Sequence, residues 1–201
     1  IGGRFGDTIR ARGGANLVIG DSGRVAYTAG LLTTIETMEP TDGGSDTITT
    51  LGGADIILGG QADDIIKAGE GANLVLGDNG KLSYAAGVLN RIETTDPGVG
   101  GDDQITTGTG DDIAFGGTAN DGITAGDGNN LVLGDNGYID YVVQDSDASD
   151  IDRIYSTDYA IGGADTITTG TGNDIVFGGA ANDGITAGDG NNLVVGDSGQ
   201  I

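Results

Sequence analysis

The 201-residue chain has no Cys, no His and no Trp, only two Pro, and eight Lys plus Arg. Without Cys there is no disulfide framework, an absence compatible with either redox compartment. Without His or Cys no Ser–His or Cys–His pair can be built for nucleophilic catalysis. Two carboxylates could still act as an acid and a base, but none stands apart from its repeats, so no enzymatic activity is expected within these residues. Aromatic residues make up 4% of the chain, too few to fill a thick globular core. No apolar run approaches the roughly 18 residues of a membrane span, and no signal-peptide pattern opens the sequence. It starts and stops inside repeat units, as an internal stretch of a longer array would.

What is abundant is negative charge and glycine. Thirty-one Asp plus Glu against eight basic residues give a formal net charge of −23. That much like charge opposes any compact state unless cations neutralise it, and it disfavours nucleic acid and anionic membranes as partners. The 42 glycines are periodic rather than scattered, which separates the chain from disordered Gly-rich sequence.

The period is nine. Residues 98–133 divide into GVGGDDQIT, TGTGDDIAF, GGTANDGIT and AGDGNNLVL, each a Gly-rich turn with Asp or Asn at the sixth place and an apolar residue at the eighth. The same units run through 2–19, 41–76 and 160–195. A longer period overlies them: LVIGDSG, LVLGDNG, LVLGDNG and LVVGDSG begin at Leu17, Leu74, Leu131 and Leu193, at spacings of 57, 57 and 62 residues. The chain therefore reads as a partial block (1–40), a full block (41–97), a block with a longer insertion (98–159) and a second partial block (160–201), in one continuous solenoid. The five extra residues fall around Gln144 to Asp150, where a loop tip accepts them. Between the nonapeptides, 24–42, 81–97 and 142–159 carry weak alternation (Leu82/Tyr84, Ile139/Tyr141) and resume near Ile35, Ile92 and Ile154. Each is expected to be a strand, a surface loop and a returning strand, serving as an elongated sixth half-turn of its block.

This array resembles the calcium-binding nonapeptide repeat GGxGxDxUx (U apolar) of the RTX, or hemolysin-type, family. The resemblance implies an all-β fold, a calcium-stabilised parallel β-roll or β-solenoid, here with loop or hairpin insertions between blocks. It also implies Ca²⁺ as the cofactor, export by a type I route as an unfolded chain, and folding outside the cell. If each nonapeptide makes a half-turn, sixth-place residues 18 apart share an edge. Asp46 then faces Asp64, Asp103 faces Asp121 and Asp165 faces Asp183, while Asp55 meets Asn73, Asp112 meets Asn130 and Asp174 meets Asn192; Asp7 holds the same place in the opening unit. Ca²⁺ takes six to eight oxygens, so facing carboxylates with turn carbonyls suit it, and an Asn oxygen in place of a carboxylate is expected to give a weaker or partly empty site. Asp21, Asp78, Asp135 and Asp197, in the Gly-Asp-Asn/Ser-Gly turns, fit a plain turn and ligation equally well. Asp145, Asp147, Asp150 and Asp152 look like an EF-hand start but lack its Gly and closing Glu, and read as a solvated loop.

The strands of the two half-turns differ. One set has a single apolar residue between polar or small ones, as in Thr-Ile-Thr, with 65–67 a partial exception. The other is apolar throughout, with Ile56, Leu58, Leu74, Leu76, Ile113, Phe115, Leu131, Leu133, Ile175, Phe177, Leu193 and Val195 flanking the inward residues. Continuous apolar strands are what a sheet buried on both faces requires. The connecting segments, a second copy or a neighbouring domain would cover this stripe. Three functions remain open: a structural repeat module of a large secreted or cell-surface protein of adhesin, filament or surface-layer type; an accessory region of a type I-secreted enzyme or toxin whose catalytic part lies elsewhere; and a carbohydrate- or ice-binding surface. The last is suggested by Thr109, Thr171 and Asn173 but weakened by Asp127 and Asp189, which interrupt the Thr row.

Overall fold

The structure is a computed structural model and describes all residues except Gln144 and Ser146. The described chain is all strand and turn. The first block supplies β1 (Thr8–Arg10), β2 (Leu17–Ile19), β3 (Gly23–Thr28) and β4 (Leu31–Thr37). The second supplies β5 (Thr47–Thr49), β6 (Ile56–Leu58), β7 (Ile65–Lys67), β8 (Leu74–Leu76), β9 (Gly80–Ala85) and β10 (Val88–Thr94). The third supplies β11 (Gln104–Thr106), β12 (Ile113–Gly117), β13 (Gly122–Ala125), β14 (Leu131–Asp135), β15 (Gly137–Asp140) and β16 (Arg153–Ser156). The last supplies β17 (Thr166–Thr169), β18 (Ile175–Gly179), β19 (Gly184–Thr186) and β20 (Leu193–Asp197).

These strands form two parallel seven-stranded sheets, β1-β5-β7-β11-β13-β17-β19 and β2-β6-β8-β12-β14-β18-β20. Their registers align the eighth places. Ile9, Ile48, Ile66, Ile105, Ile123, Ile167 and Ile185 form one column. Val18, Ile57, Val75, Ala114, Val132, Val176 and Val194 form the other. Except for Val194, which is exposed on the outermost strand, the two columns meet in a thin core. A three-residue strand has one side chain to turn inward, so the coil is one aliphatic layer deep on each side.

The connecting segments leave the coil. β3-β4 and β9-β10 are hairpins whose tips, Ala29-Gly30 and Ala86-Gly87, have positive φ at both central residues (51° and 81°, 51° and 83°). That is the type I′ geometry whose twist matches the strands it joins, so the expected surface loop is there a two-residue turn. With β15 and β16 they make a third, antiparallel sheet in the order β16-β15-β10-β9-β4-β3. Its inner column of Val25, Ile35, Leu82, Ile92, Ile139 and Ile154 lies in register across the sheet. It packs on Ile19, Leu58, Leu76, Phe115, Leu133 and Phe177 of the second sheet. Of the three candidate covers for the apolar stripe, the chain's own hairpins fill the position; Leu193, on the outermost strand, stays exposed. The inserts are thus not extra half-turns of the coil.

The outer face of this third sheet also takes up scarce cations. Arg24 pairs with Glu36, Lys81 with Glu93, and Arg91 and Arg153 both with the buried Asp140. Arg91 also lies 3.8 Å over the Tyr138 ring, which stacks on Tyr155. Phe115→Ala, opening a void between second and third sheets, is expected to cost about 3–5 kcal/mol in denaturant unfolding at saturating calcium. A loss below about 1 kcal/mol would mean that the third sheet is not packed there.

Candidate metal centre

The turns are where the sixth-place residues meet. On the edge running from second sheet to first, each residue's backbone N–H donates to the Oδ1 of the equivalent aspartate in the next turn. Asp7 reaches Asp46 at 2.6 Å, Asp46 reaches Asp64 at 2.7 Å and Asp64 reaches Asp103 at 2.7 Å. Asp103 to Asp121 and Asp121 to Asp165 are both 2.8 Å, and Asp165 to Asp183 is 3.0 Å. On the other edge the same bond links Asn16 to Asp55, Asp55 to Asn73, Asn73 to Asp112, Asp112 to Asn130, Asn130 to Asp174 and Asp174 to Asn192. The contacts 18 residues apart are those the period of nine implies. Between them lie contacts 39 or 44 residues apart, which skip a hairpin and join one block to the next.

All thirteen sequence-derived candidates, Asp7 to Asn192, therefore sit in two continuous ladders. Most are inside the molecule: Asp46, Asp55, Asp64, Asp103, Asp112, Asp121, Asp165 and Asp174 are 0–2% exposed. Because Oδ1 is occupied by an N–H, the second oxygen is left over. Oδ2 of Asp46, Asp55, Asp64, Asp103, Asp112, Asp121, Asp165 and Asp183 is buried without a hydrogen-bond partner, whereas Asp174 Oδ2 accepts from the Thr169 hydroxyl at 2.6 Å. Among the described residues no Lys or Arg forms an ion pair with a ladder aspartate.

Carbonyl oxygens converge on the same places. A methyl group added to Gly116 would sit 2.1 Å from the Gly134 carbonyl and 2.3 Å from Asp121 Oδ2. One on Gly77 would sit 2.1 Å from Asp103 Oδ2 and 2.5 Å from the Gly116 carbonyl. Only glycine leaves these oxygen-lined cradles open.

Burial shifts the ladder carboxyls upward. It raises Asp46 to about 6, Asp64 and Asp165 to about 8 and Asp121 to about 10, against the lowering effect of the N–H each accepts. Asp103 is raised well above the usual range, first by burial and then by the facing charges of Asp78, Asp121 and Asp64. A buried row of bare carboxylate oxygens beside carbonyls requires a cation or protons. The donors are all hard oxygens, which suits Ca²⁺ and not a thiophilic or imidazole-binding metal. The residues present therefore fit calcium.

Asp21, Asp78 and Asp135 do something different. Asp78 accepts the N–H of Gly101 through Oδ1 at 3.0 Å and of Thr118 through Oδ2 at 2.5 Å. Asp21 holds Gly44 and Gln61 in the same way, and Asp135 holds Gly163 and Ala180. Each ties the base of a hairpin to the coil with both oxygens occupied. Sequence reasoning also passed over an exposed fifth-place row, in which the N–H of Asp102 bonds Asp63, Asn120 bonds Asp102, Asn129 bonds Asp111 and Asn191 bonds Asn173. The doublets Asp63-Asp64, Asp111-Asp112 and Asn129-Asn130 are its sequence signal. Thr109 and Thr171 bond Glu70 and Asp127 rather than forming a Thr row. Asp145, Asp150 and Asp152 bring carboxylate oxygens within 4.8 Å of one another on the surface; Gln144 and Ser146 of that insertion lie outside the described residues.

A coil of parallel half-turns with oxygen-lined turns on both edges is the architecture of a calcium-binding β-roll. The sequence profile of the RTX calcium-binding nonapeptide repeat matches in four copies, at residues 1–24, 41–80, 97–137 and 159–194. These cover well over half of the chain, which belongs to that family, whose repeats bind Ca²⁺ as structural elements. The stretches between matches hold most of each third-sheet hairpin. Comparison with curated proteins and with solved structures returns no match.

The raised carboxyls fix the sign of a pH dependence. Their folded-state pKa lies above the unfolded value near 4, so the folded form binds extra protons, and their stabilisation is present below about pH 4. It is lost as pH rises through about 6 at Asp46 and about 8 at Asp64 and Asp165. In chelator, β signal in far-UV circular dichroism is therefore expected to be strongest in acid and to fall across that window. A metal-free fold that gains stability with pH would contradict it.

Proposed function

We propose that this chain is a calcium-folded structural module of a large secreted or cell-surface protein, a spacer or assembling element rather than a catalyst. The observation that carries the reading is the row of buried, partnerless Oδ2 atoms on Asp46, Asp64, Asp103, Asp121 and Asp165. Asp183 extends that row; with Asp7 at the start of the same ladder and Asp55, Asp112 and Asp174 on the opposite edge, these aspartates are the proposed calcium ligands. The net charge of −23 supports the same reading, since the metal-free chain repels itself and stays export-competent. On this proposal the module reaches its fold outside the cell, where calcium is plentiful.

Multiple sites that bind only the folded form make the transition steep in calcium. The folding midpoint at neutral pH is expected at about 10⁻⁴–10⁻³ M Ca²⁺, the range of extracellular modules, with magnesium ineffective at equal concentration. Circular dichroism and hydrodynamic radius measure it. A midpoint below about 10⁻⁶ M would place folding inside the cell and remove the extracellular reading.

A further inference from the structure

The two ladders differ in the atom each side chain leaves over. Oδ1 accepts an N–H from the preceding turn in Asp and Asn alike, so what remains is Oδ2 in an aspartate and Nδ2 in an asparagine. On the edge running from first sheet to second, Asp55 and Asp112 leave Oδ2 buried without a well-formed hydrogen bond, the Thr107 hydroxyl lying beside Asp112, while Asp174 Oδ2 accepts from the Thr169 hydroxyl. Asn73, between Asp55 and Asp112, donates from Nδ2 to the Gly69 carbonyl at 2.9 Å and the Gly71 carbonyl at 2.7 Å. Asn130 does the same to Gly126 at 2.8 Å and Gly128 at 3.2 Å. Asn16 bonds the carbonyls of Arg12 at 2.9 Å and Gly14 at 2.6 Å, and Asn192 bonds Gly188 at 2.7 Å.

The amide orientation follows from its surroundings. Exchanging oxygen and nitrogen in Asn73 would set an NH₂ against the Asp55 N–H and an oxygen against two carbonyls, losing every bond at once. Both kinds of turn hold the fourth-place glycine at positive φ (114° at Gly71, 139° at Gly110). At the same place in the repeat Asn73 has two amide hydrogens to offer and an ionised Asp112 has only oxygens.

We infer that Asn16, Asn73, Asn130 and Asn192 stand in for the cation at alternate turns of this edge. Their amide hydrogens gather the turn carbonyls that a hard ion would otherwise gather, so these turns close without calcium and take none. Asn73 also donates to Asp112 Oδ1 at 3.0 Å, and Asn16 to Asp55 Oδ1 at 2.7 Å, so the same amide steadies the neighbouring carboxylate. Of the two expectations for Asn73, Asn130 and Asn192, weak ligation or partly empty sites, this takes the second to its limit and removes them from the ligand set. It divides the coil into one edge of continuous aspartates and one edge where amide staples alternate with aspartates.

The inference rests on the chain binding calcium, and the test separates the two claims. Bound calcium is counted by equilibrium dialysis at neutral pH for the unaltered chain, for N73D/N130D and for Asp112→Asn. The double substitution is expected to take up about two more ions than the unaltered chain and to need more calcium to fold. Asp112→Asn is expected to lose about one ion and fold at lower calcium. An unchanged count in N73D/N130D, with tighter binding, would show that the asparagines already ligate and would overturn the inference. If N73D/N130D does not fold even at saturating calcium, an unchanged count in Asp112→Asn overturns it instead. No uptake by the unaltered chain would overturn the calcium reading itself, and this inference with it.

Discussion

The structure depends on burying carboxylates that have only half their bonding satisfied. Each ladder aspartate after Asp7 accepts a backbone N–H of the adjacent turn through Oδ1, which sets the stagger of the coil, and most leave Oδ2 inside without a donor. Little else is available to offset that cost. A nonapeptide buries one aliphatic side chain within the coil, worth about 1.5–3 kcal/mol, against the ordering of nine residues. The carboxylates are therefore the element on which folding turns. On the proposed reading, cations or protons that neutralise them admit the fold, and their absence at neutral pH withholds it. Calcium is the cation for which the all-oxygen surroundings and the family membership both speak.

The third sheet adds what the thin coil lacks. By covering the ninth-place residues Leu58, Leu76, Phe115, Leu133 and Phe177, the hairpins supply a second, thicker hydrophobic layer that no nonapeptide could make by itself. They also join consecutive blocks, since β4 pairs with β9 and β10 with β15. Asp21, Asp78 and Asp135 fasten the base of each hairpin to the coil. A substitution such as Gly100→Ala would push a methyl group to 1.9 Å from the Asp78 carboxylate, so the glycine beside each of these aspartates is as constrained as those in the oxygen-lined turns.

Much of this was legible in the residues themselves. The period of nine fixes which side chains turn inward, and the sixth place marks the ladder members and their 18-residue partners. Uniformly apolar triplets such as Leu74-Val75-Leu76 announce a sheet covered on both faces. What the pattern could not say was which of three covers lies there, because Leu82/Tyr84 and Ile139/Tyr141 alternate too briefly to declare a sheet. The hairpin tips escaped notice because Ala-Gly is not the usual Asn-Gly signal for a type I′ turn. The roles of Asp78 and Asn73 were hidden for a different reason. Asp78 depends on Thr118, which only the folded register brings alongside, and Asn73 on the way its own turn folds the Gly69 and Gly71 carbonyls back toward its amide.

The most direct test of the central claim is amide hydrogen exchange at the ladder itself, read at the backbone N–H of Asp64, Asp103 and Asp121 at neutral pH. With calcium saturating, these protons are expected to be among the slowest in the molecule; in chelator they are expected to exchange as in an unfolded chain. Protection that persists in chelator would mean that the buried carboxylates are tolerated without a cation, and would contradict the dependence of folding on their neutralisation.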